Sequence, residues 1–323
     1  VMLRLDLYEN PRAKGFYTLL DEYEEGRRAI ARYAGVRPEE VVITNGSYQA
    51  LDQIFSLFFK PADRLAVPVP TFLVYFKFAA AGKFKVVRIP YRRGFQNTDV
   101  ISRLPRRGGL YLANPNNPIG YQFSQKDLLS IVSATAKRRI MTILDEAYFE
   151  FGGVTLARQI RRFPWLIIVR TFSKAFGLSG ARVGYVLANV KLADQINRWK
   201  GEVVTISRTG LSAARRALAD LPAMRRHVVE TKQTKKKLAG WLEKHGWEPF
   251  PSAANFLTCR VGDTTRMAKI LEAKGILIKD LSDYPDSGAL LKNCLRFTIP
   301  PPRALPRLQK ALRSFSRRGQ GWW

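Results

Sequence analysis

Residues 169–185 read VRTFSKAFGLSGARVGY. The stretch holds one lysine, Lys174, among small, hydroxylated and apolar residues, with Arg182 eight positions later. It also joins two strand-like runs, LIIVRTFS (166–173) and VGYVLA (183–188). In a chain with 54 Lys and Arg, a single lysine means little by itself. Its meaning comes from what stands at the ends of the neighbouring runs.

Five more apolar runs precede it: VVIT (41–44), RLAVPV (64–69), KVVRIP (85–90), GLYLAN (109–114) and MTILDEA (141–147). Near-continuous Val, Ile and Leu strands alternating with helical periods predict an α/β fold with a mostly parallel sheet covered on both faces. The clearest helical period is SQKDLLSIVSATAKR (124–138), which puts Leu128, Ile131, Val132 and Thr135 on one side. Ser124 is placed to cap it, with Asp127 in the first turn. A helical stretch at about 190–245 leads to the strand ANFLTCRV, the helix TTRMAKILEAKG, the strand CLRFTIP and the helix LPRLQKALRSF. These read as a smaller α+β unit. The expected division is an N-terminal arm (1–30), a large α/β domain (31–235) and a small C-terminal domain (236–323), ending in the aperiodic RRGQGWW.

Hydrophobic residues make up 46% of the 323, ample for a large core. No apolar run approaches the roughly 18 uncharged residues a membrane span needs. The first residues lack a signal-peptide layout, and two cysteines, Cys259 and Cys294, cannot form a disulfide framework, so a cytoplasmic setting is expected. No Cys/His cluster points to a metal. The net charge of +28 raises nucleic-acid binding as a reading from a different class. However, the basic residues are scattered pairs, with one run of three (KKK, 235–237), and no recognised nucleic-acid motif accompanies them. A solvated basic surface that favours anionic substrates is the simpler reading.

Ligands of open α/β sheets bind beyond the carboxyl ends of the strands. After VVIT comes NGSYQALDQIF, a Gly-Ser turn opening a helix whose first amides suit a phosphate. Phe72 follows the second run, where a flat ring can stack on a heteroaromatic group. Asn117 follows GLYLA within NPNNPIG, and MTIL ends in DEAY, with Asp145 and Tyr148. A carboxylate after four apolar residues is costly unless paired. Thr171, Ser173 and Lys174 end the next run. Each feature alone has an ordinary structural explanation; together they match the needs of pyridoxal phosphate chemistry. A lysine links to the cofactor, an acid keeps the pyridine nitrogen protonated, donors tune the ring hydroxyl, and hydroxyls, an arginine and helix-start amides hold the phosphate.

NPNNPIG, DEAY and TFSKAFGLSGARVGY resemble the fold-type I, PLP-dependent aminotransferases of class I/II, including the spacings Asn117–Asp145, Asp145–Tyr148 and Lys174–Arg182. LYENP, TNGSYQALD, SAANFLTCRV, GILIKDLSDYP and CLRFTIP are similar, in order, to blocks of the histidinol-phosphate aminotransferase branch. The resemblance runs from about residue 5 to 313. It implies a mostly parallel seven-stranded sheet and a set of roles. Lys174 would bond to the cofactor and carry the substrate Cα proton, and Asp145 would pair with the ring nitrogen. Asn117 and Tyr148 would bond the ring hydroxyl, and Phe72 would stack on the ring. Gly46, Ser47, Tyr48, Thr171, Ser173 and Arg182 would surround the phosphate, with the direct contact open between Thr171 and Ser173. Tyr17 would reach the cofactor phosphate of a second subunit, implying a homodimer with shared sites.

On the substrate side the resemblance implies Arg296 as the grip on an anionic group, with Lys279, Tyr8 and Asn10 nearby. Lys279 stands where the branch usually has arginine, Tyr8 where asparagine is common, and Tyr48-Gln49 where an acidic pair is usual. The implied reaction is transamination from histidinol phosphate or a related amine to 2-oxoglutarate. A threonine-phosphate decarboxylase of cobalamin synthesis is the neighbouring alternative, slightly resembled by DYPDSGALLKNCLRF (283–297). PLP-fold regulators that bind nucleic acid carry a winged helix ahead of the fold, whereas the fold motifs here begin within the first dozen residues.

Overall fold

A computed structural model of the chain describes residues 17–200 and 206–315. Seven strands form one sheet: β1 (Val41–Thr44), β2 (Arg64–Val69), β3 (Lys85–Pro90), β4 (Gly108–Ala113), β5 (Met141–Asp145), β6 (Leu166–Thr171) and β7 (Gly184–Ala188). Their order is β1-β7-β6-β5-β4-β2-β3. All lie within a residue or two of the expected runs, because each run but the edge strand β3 is a mostly buried apolar segment bounded by turn residues. Five neighbouring strands, β3, β2, β4, β5 and β6, are parallel. β7 is antiparallel to both its neighbours, so β1 again points the same way as the rest. The carboxyl ends of β1, β2, β4, β5 and β6 therefore share one edge of the sheet. The chain order reverses between β2 and β4, which opens the crevice where such sheets bind ligands.

Two helical layers cover the sheet, and the short helices α4 (Asn97–Ser102) and α6 (Phe149–Gly152) follow β3 and β5 in the chain. On one face, α2 (Gly46–Phe58) and α3 (Val74–Gly82) bring Leu51, Ile54, Phe55, Tyr75 and Phe78 against Val67, Tyr111, Ile143 and Val169. On the other, α1 (Leu20–Ala34) and α5 (Gln125–Lys137) pack Ile30, Leu128, Ile131 and Val132 against Ile43, Leu110, Leu144 and Ile168. Ser124 caps α5 by accepting from the Asp127 amide at 3.1 Å, and the four residues read as its inner side, Leu128, Ile131, Val132 and Thr135, are its buried ones.

The helical stretch after β7 is broken where the sequence reading left it continuous. Here α7 (Val190–Lys200), α8 (Arg208–Ala219) and α9 (Leu221–Lys244) follow one another, with Asp220 capping α9 and Pro222 in its first turn. Beyond α9 a four-stranded antiparallel sheet, order β10-β11-β9-β8, is formed by β8 (Glu248–Pro249), β9 (Phe256–Arg260), β10 (Lys279–Asp280) and β11 (Cys294–Thr298). Its core gathers Leu257, Leu295 and Phe297 with residues of α10 (Thr264–Ala273) and α11 (Leu305–Leu312). The expected divisions at 30/31 and 235/236 fall inside α1 and α9, which run through them unbroken. α9 joins the two sheets: its Val228 packs with Tyr148 and Phe256, and its Leu238 and Leu242 join the core of the small sheet. The first lysine of the KKK run is turned inward, donating to the carbonyls of Ser252 and Ala254 at 2.5 and 2.6 Å. Among the described residues, no helix is long and apolar enough to cross a membrane.

One buried ion pair locks the ends of β5 and β6 together. Arg170 Nε donates to Glu146 at 2.9 Å and both side chains are almost fully buried; Thr155 and the Leu156 amide supply the remaining donors to the carboxylate. Burial works against the Arg170 charge, and the Glu146 carboxylate offsets this enough to hold the guanidinium above its usual range. Removing one partner of such a pair leaves an uncompensated buried charge. Glu146→Ala is therefore expected to lower stability by roughly 3–5 kcal/mol, measured by urea unfolding at neutral pH, whereas an exposed carboxylate such as Glu248 should cost little when truncated.

Candidate active site

The shared sheet edge assembles the site from separate loops. Asp145 ends β5 and is buried; its Oδ2 accepts from Tyr111 Oη at 2.8 Å and its Oδ1 from the Ala147 amide at 3.0 Å. Burial still raises its pKa, with the Tyr111 and Ala147 hydrogen bonds and the positive charge of Lys174 acting in the opposite direction. Lys174, three residues past β6, has its Nζ 5.4 Å from the centre of the Tyr148 ring. Burial, and then the charge of Arg296, lower the pKa of this amine. It is neutral, and so nucleophilic, at lower pH than an ordinary lysine.

Asn117, in the loop after β4, links the two sheets. Its Nδ2 donates to Tyr148 Oη at 3.3 Å, and its Oδ1 accepts from Arg296 of β11 at 2.5 Å. The Tyr148 ring stands edge-on to Phe256 of β9 at 5.4 Å, and the Arg296 guanidinium lies over the same Phe256 ring. Burial pushes the Tyr148 hydroxyl up to about 12, so it remains a donor at working pH.

A second cluster lies where β1, β6 and β7 meet. Gly184 is paired with both Thr44 and Thr171. A Cβ on Gly184 would stand 2.6–2.7 Å from backbone atoms of Gly46 and Ser47, so only glycine lets the start of α2 settle there. Gly46 has a left-handed φ of 78°, and a Cβ on it would lie 2.8 Å from the Arg182 guanidinium. Arg182 is itself left-handed (φ 53°) and donates to the Ser179 carbonyl at 3.2 Å. Thr171 Oγ1 donates to Ser173 Oγ at 2.9 Å and accepts from the Ser173 amide. A helix start, an arginine and two hydroxyls thus lie together, packed closely because two glycines carry no side chain, a donor set suited to a phosphate.

Several other expected residues are exposed. Phe72 follows β2 with its ring 41% exposed, and Tyr17 is 49% exposed. Tyr48 points outward from α2, its ring 5.5 Å from Phe78. Lys279 is exposed on β10 directly opposite Arg296 in register, so the two cations occupy the same face of the small sheet. Tyr8 and Asn10 lie outside the described residues. The sequence reading missed Tyr111, the Glu146–Arg170 pair and Tyr284, whose hydroxyl donates to the Thr71 carbonyl beside Phe72 at 2.9 Å. Each reads in sequence as an ordinary strand or loop residue, and only the strand order reveals its partner.

A doubly covered, mostly parallel sheet with a lysine, a buried carboxylate and an anion cradle at its carboxyl edge defines a class of group-transfer enzymes built around a phosphorylated cofactor. The model of the aminotransferase class I and II family matches residues 10–313, and the chain belongs to that family. A histidinol-phosphate aminotransferase of Dehalococcoides mccartyi is 32% identical over 330 residues, covering 96% of this chain and 89% of that one. Among solved structures, a histidinol-phosphate aminotransferase of Sinorhizobium meliloti in complex with pyridoxal-5′-phosphate has a TM-score of 0.84 at 26% identity, covering 94% of this chain and 83% of that one. An L-threonine-O-3-phosphate decarboxylase of Porphyromonas gingivalis shares the fold, with a TM-score of 0.75 at 24% identity, covering 90% and 88%. The fold is thus the fold-type I aminotransferase architecture.

Pyridoxal 5′-phosphate fits the residues present. The raised Asp145 carboxyl marks a buried charge incompletely compensated by the chain, which a protonated ring nitrogen would complete. The cradle at Gly46 and Arg182 suits its phosphate. Gly46→Ala forces an L-residue into the left-handed region, at about 1–2 kcal/mol, and drives its Cβ into Arg182. It should weaken cofactor and inorganic phosphate binding together. Gly177→Ala, at φ 68° with open space around it, carries only the backbone cost and serves as the control.

Proposed function

We propose that this chain is a pyridoxal 5′-phosphate-dependent aminotransferase that takes the amino group of histidinol phosphate, or a closely related phosphorylated amine, and delivers it to a 2-oxo acid such as 2-oxoglutarate. The observation that carries this reading is the meeting of Lys174, Tyr148, Asn117 and Arg296 beside the buried Asp145. When bound, the cofactor supplies an electron-withdrawing ring that weakens the bonds at the substrate Cα. Lys174 is the covalent anchor and the base that takes the Cα proton, a task its lowered pKa favours. Asp145 holds positive charge at the ring nitrogen, while Asn117 and Tyr148 donate to the ring hydroxyl. Gly46, Ser47, Arg182 and the Thr171–Ser173 pair hold the phosphate, with Tyr48 at its rim and Phe72 against the ring.

Arg296 and Lys279, facing the same way on neighbouring strands, support an anionic substrate. Tyr8 and Asn10 belong to the same substrate-side reading. The working unit in this proposal is a cytoplasmic homodimer, with Tyr17 contributed to the partner's site.

Lys174→Ala should abolish turnover and the visible absorbance of the cofactor-loaded protein while far-UV circular dichroism stays unchanged; an active variant would sink the assignment. For the wild type, the pH midpoint of cofactor attachment should lie below the ordinary lysine range. Arg296→Ala removes a cation that helps lower the Lys174 pKa, so the midpoint should rise, and anionic substrates should weaken far more than the cofactor does. An amino-donor screen with carbon dioxide release followed in parallel separates transamination from the decarboxylase chemistry of the neighbouring branch.

A further inference from the structure

Tyr111 lies in the middle of β4 and is fully buried. Its Cα partner on β5 is Ile143, so with the two-residue alternation of a strand Tyr111, Ile143 and Asp145 share one face of the sheet. That face is covered by an aromatic layer: the Tyr111 ring lies 6.2 Å from Tyr75 and 6.3 Å from Phe55. The layer fixes where the phenol points, and its hydroxyl ends at Asp145 Oδ2.

We propose that Tyr111 is a positioning residue for the reaction, its hydroxyl fixing the plane of the Asp145 carboxylate from beneath while the backbone amide of Ala147 fixes it from the opposite oxygen. The proposal rests on the reading of Asp145 as the partner of the cofactor ring nitrogen. A carboxylate has about four acceptor positions, and these two donors occupy one on each oxygen, leaving the others for a cationic partner. Burial raises the Tyr111 hydroxyl well above its usual range, so it remains a donor across the working pH. A hydrogen bond to an ionised acceptor is stronger than one to a neutral acceptor, so this donor favours the charged form of a carboxyl that burial otherwise disfavours. Tyr111 thus acts on the electronics of the cofactor without touching it.

The test is Tyr111→Phe, which keeps the aromatic layer and removes only the hydroxyl. Cofactor affinity is measured by titrating the cofactor-free protein, and kcat and KM across pH on the loaded protein. The acid limb of kcat should move up by about one pH unit, a roughly tenfold change in the ionisation equilibrium. The cofactor should bind correspondingly less tightly, and KM for the substrates should change less than kcat. Tyr75→Phe, which removes a neighbouring hydroxyl bonded to Asp286, should leave the acid limb in place. In an Asp145→Asn background the Tyr111→Phe effect should largely vanish, as expected for two groups acting as one unit. A Tyr111→Phe protein with the wild-type acid limb and cofactor affinity would overturn the inference while leaving the proposed function intact. An Asp145→Asn protein that binds cofactor and turns over normally would overturn both.

Discussion

Asp145 places an ionisable carboxyl at the carboxyl end of a fully buried strand, and much of the site follows from how that group is compensated. Buried carboxylates persist only with donors or cations around them. Here the donors come from the neighbouring strand and from the next turn, and positive charge comes from Lys174 after β6. Burial outweighs these groups and keeps the Asp145 pKa raised, which suits the carboxyl to a cationic partner. Glu146, the next residue, points to the opposite face and is satisfied entirely by Arg170, Thr155 and backbone. Two adjacent carboxylates thus have different surroundings, because they face different layers.

Sheet topology makes the compensation possible. Because β7 is inserted antiparallel, β1 shares its carboxyl edge with β4, β5 and β6, and the start of α2 reaches the same place as Lys174 and Arg182. Two glycines hold that junction: Gly184 lets the loop pass over β7, and Gly46 supplies both the left-handed turn and the space beside Arg182. The small sheet is tied to this edge through Arg296, Asn117, Phe256 and Tyr148, with Arg296, Asn117 and Tyr148 joined in one hydrogen-bonded chain.

Most of the large sheet was legible because its strands are continuous apolar runs ended by Asn, Gly and Pro, a pattern that burial on both faces imposes. The candidate site residues Asn117, Asp145, Lys174 and Arg182 stood out because they are polar groups at or just beyond the ends of those runs. Tyr111 was not: inside GLYLAN it looks like any core aromatic, and its hydroxyl acquires a role only when β4 is known to lie beside β5. The short pairing of β10 with β11, two residues long, leaves no periodic signal, although it sets Lys279 beside Arg296. The break between α8 and α9 was likewise hidden, since Asp220 and Pro222 sit within otherwise helical sequence. The +28 charge finds only partial use in the structure: among the described residues, Arg170 and the first lysine of the KKK run are inward-facing braces.

Lys174, whose amine lies beside the Tyr148 ring, is the group that would bond the cofactor. Incubating the purified protein with pyridoxal 5′-phosphate, reducing with borohydride and mapping the labelled tryptic peptide by mass spectrometry tests it most directly. The label is expected on Lys174, in the peptide spanning residues 171–182. A label spread over other lysines, or none at all, would contradict it.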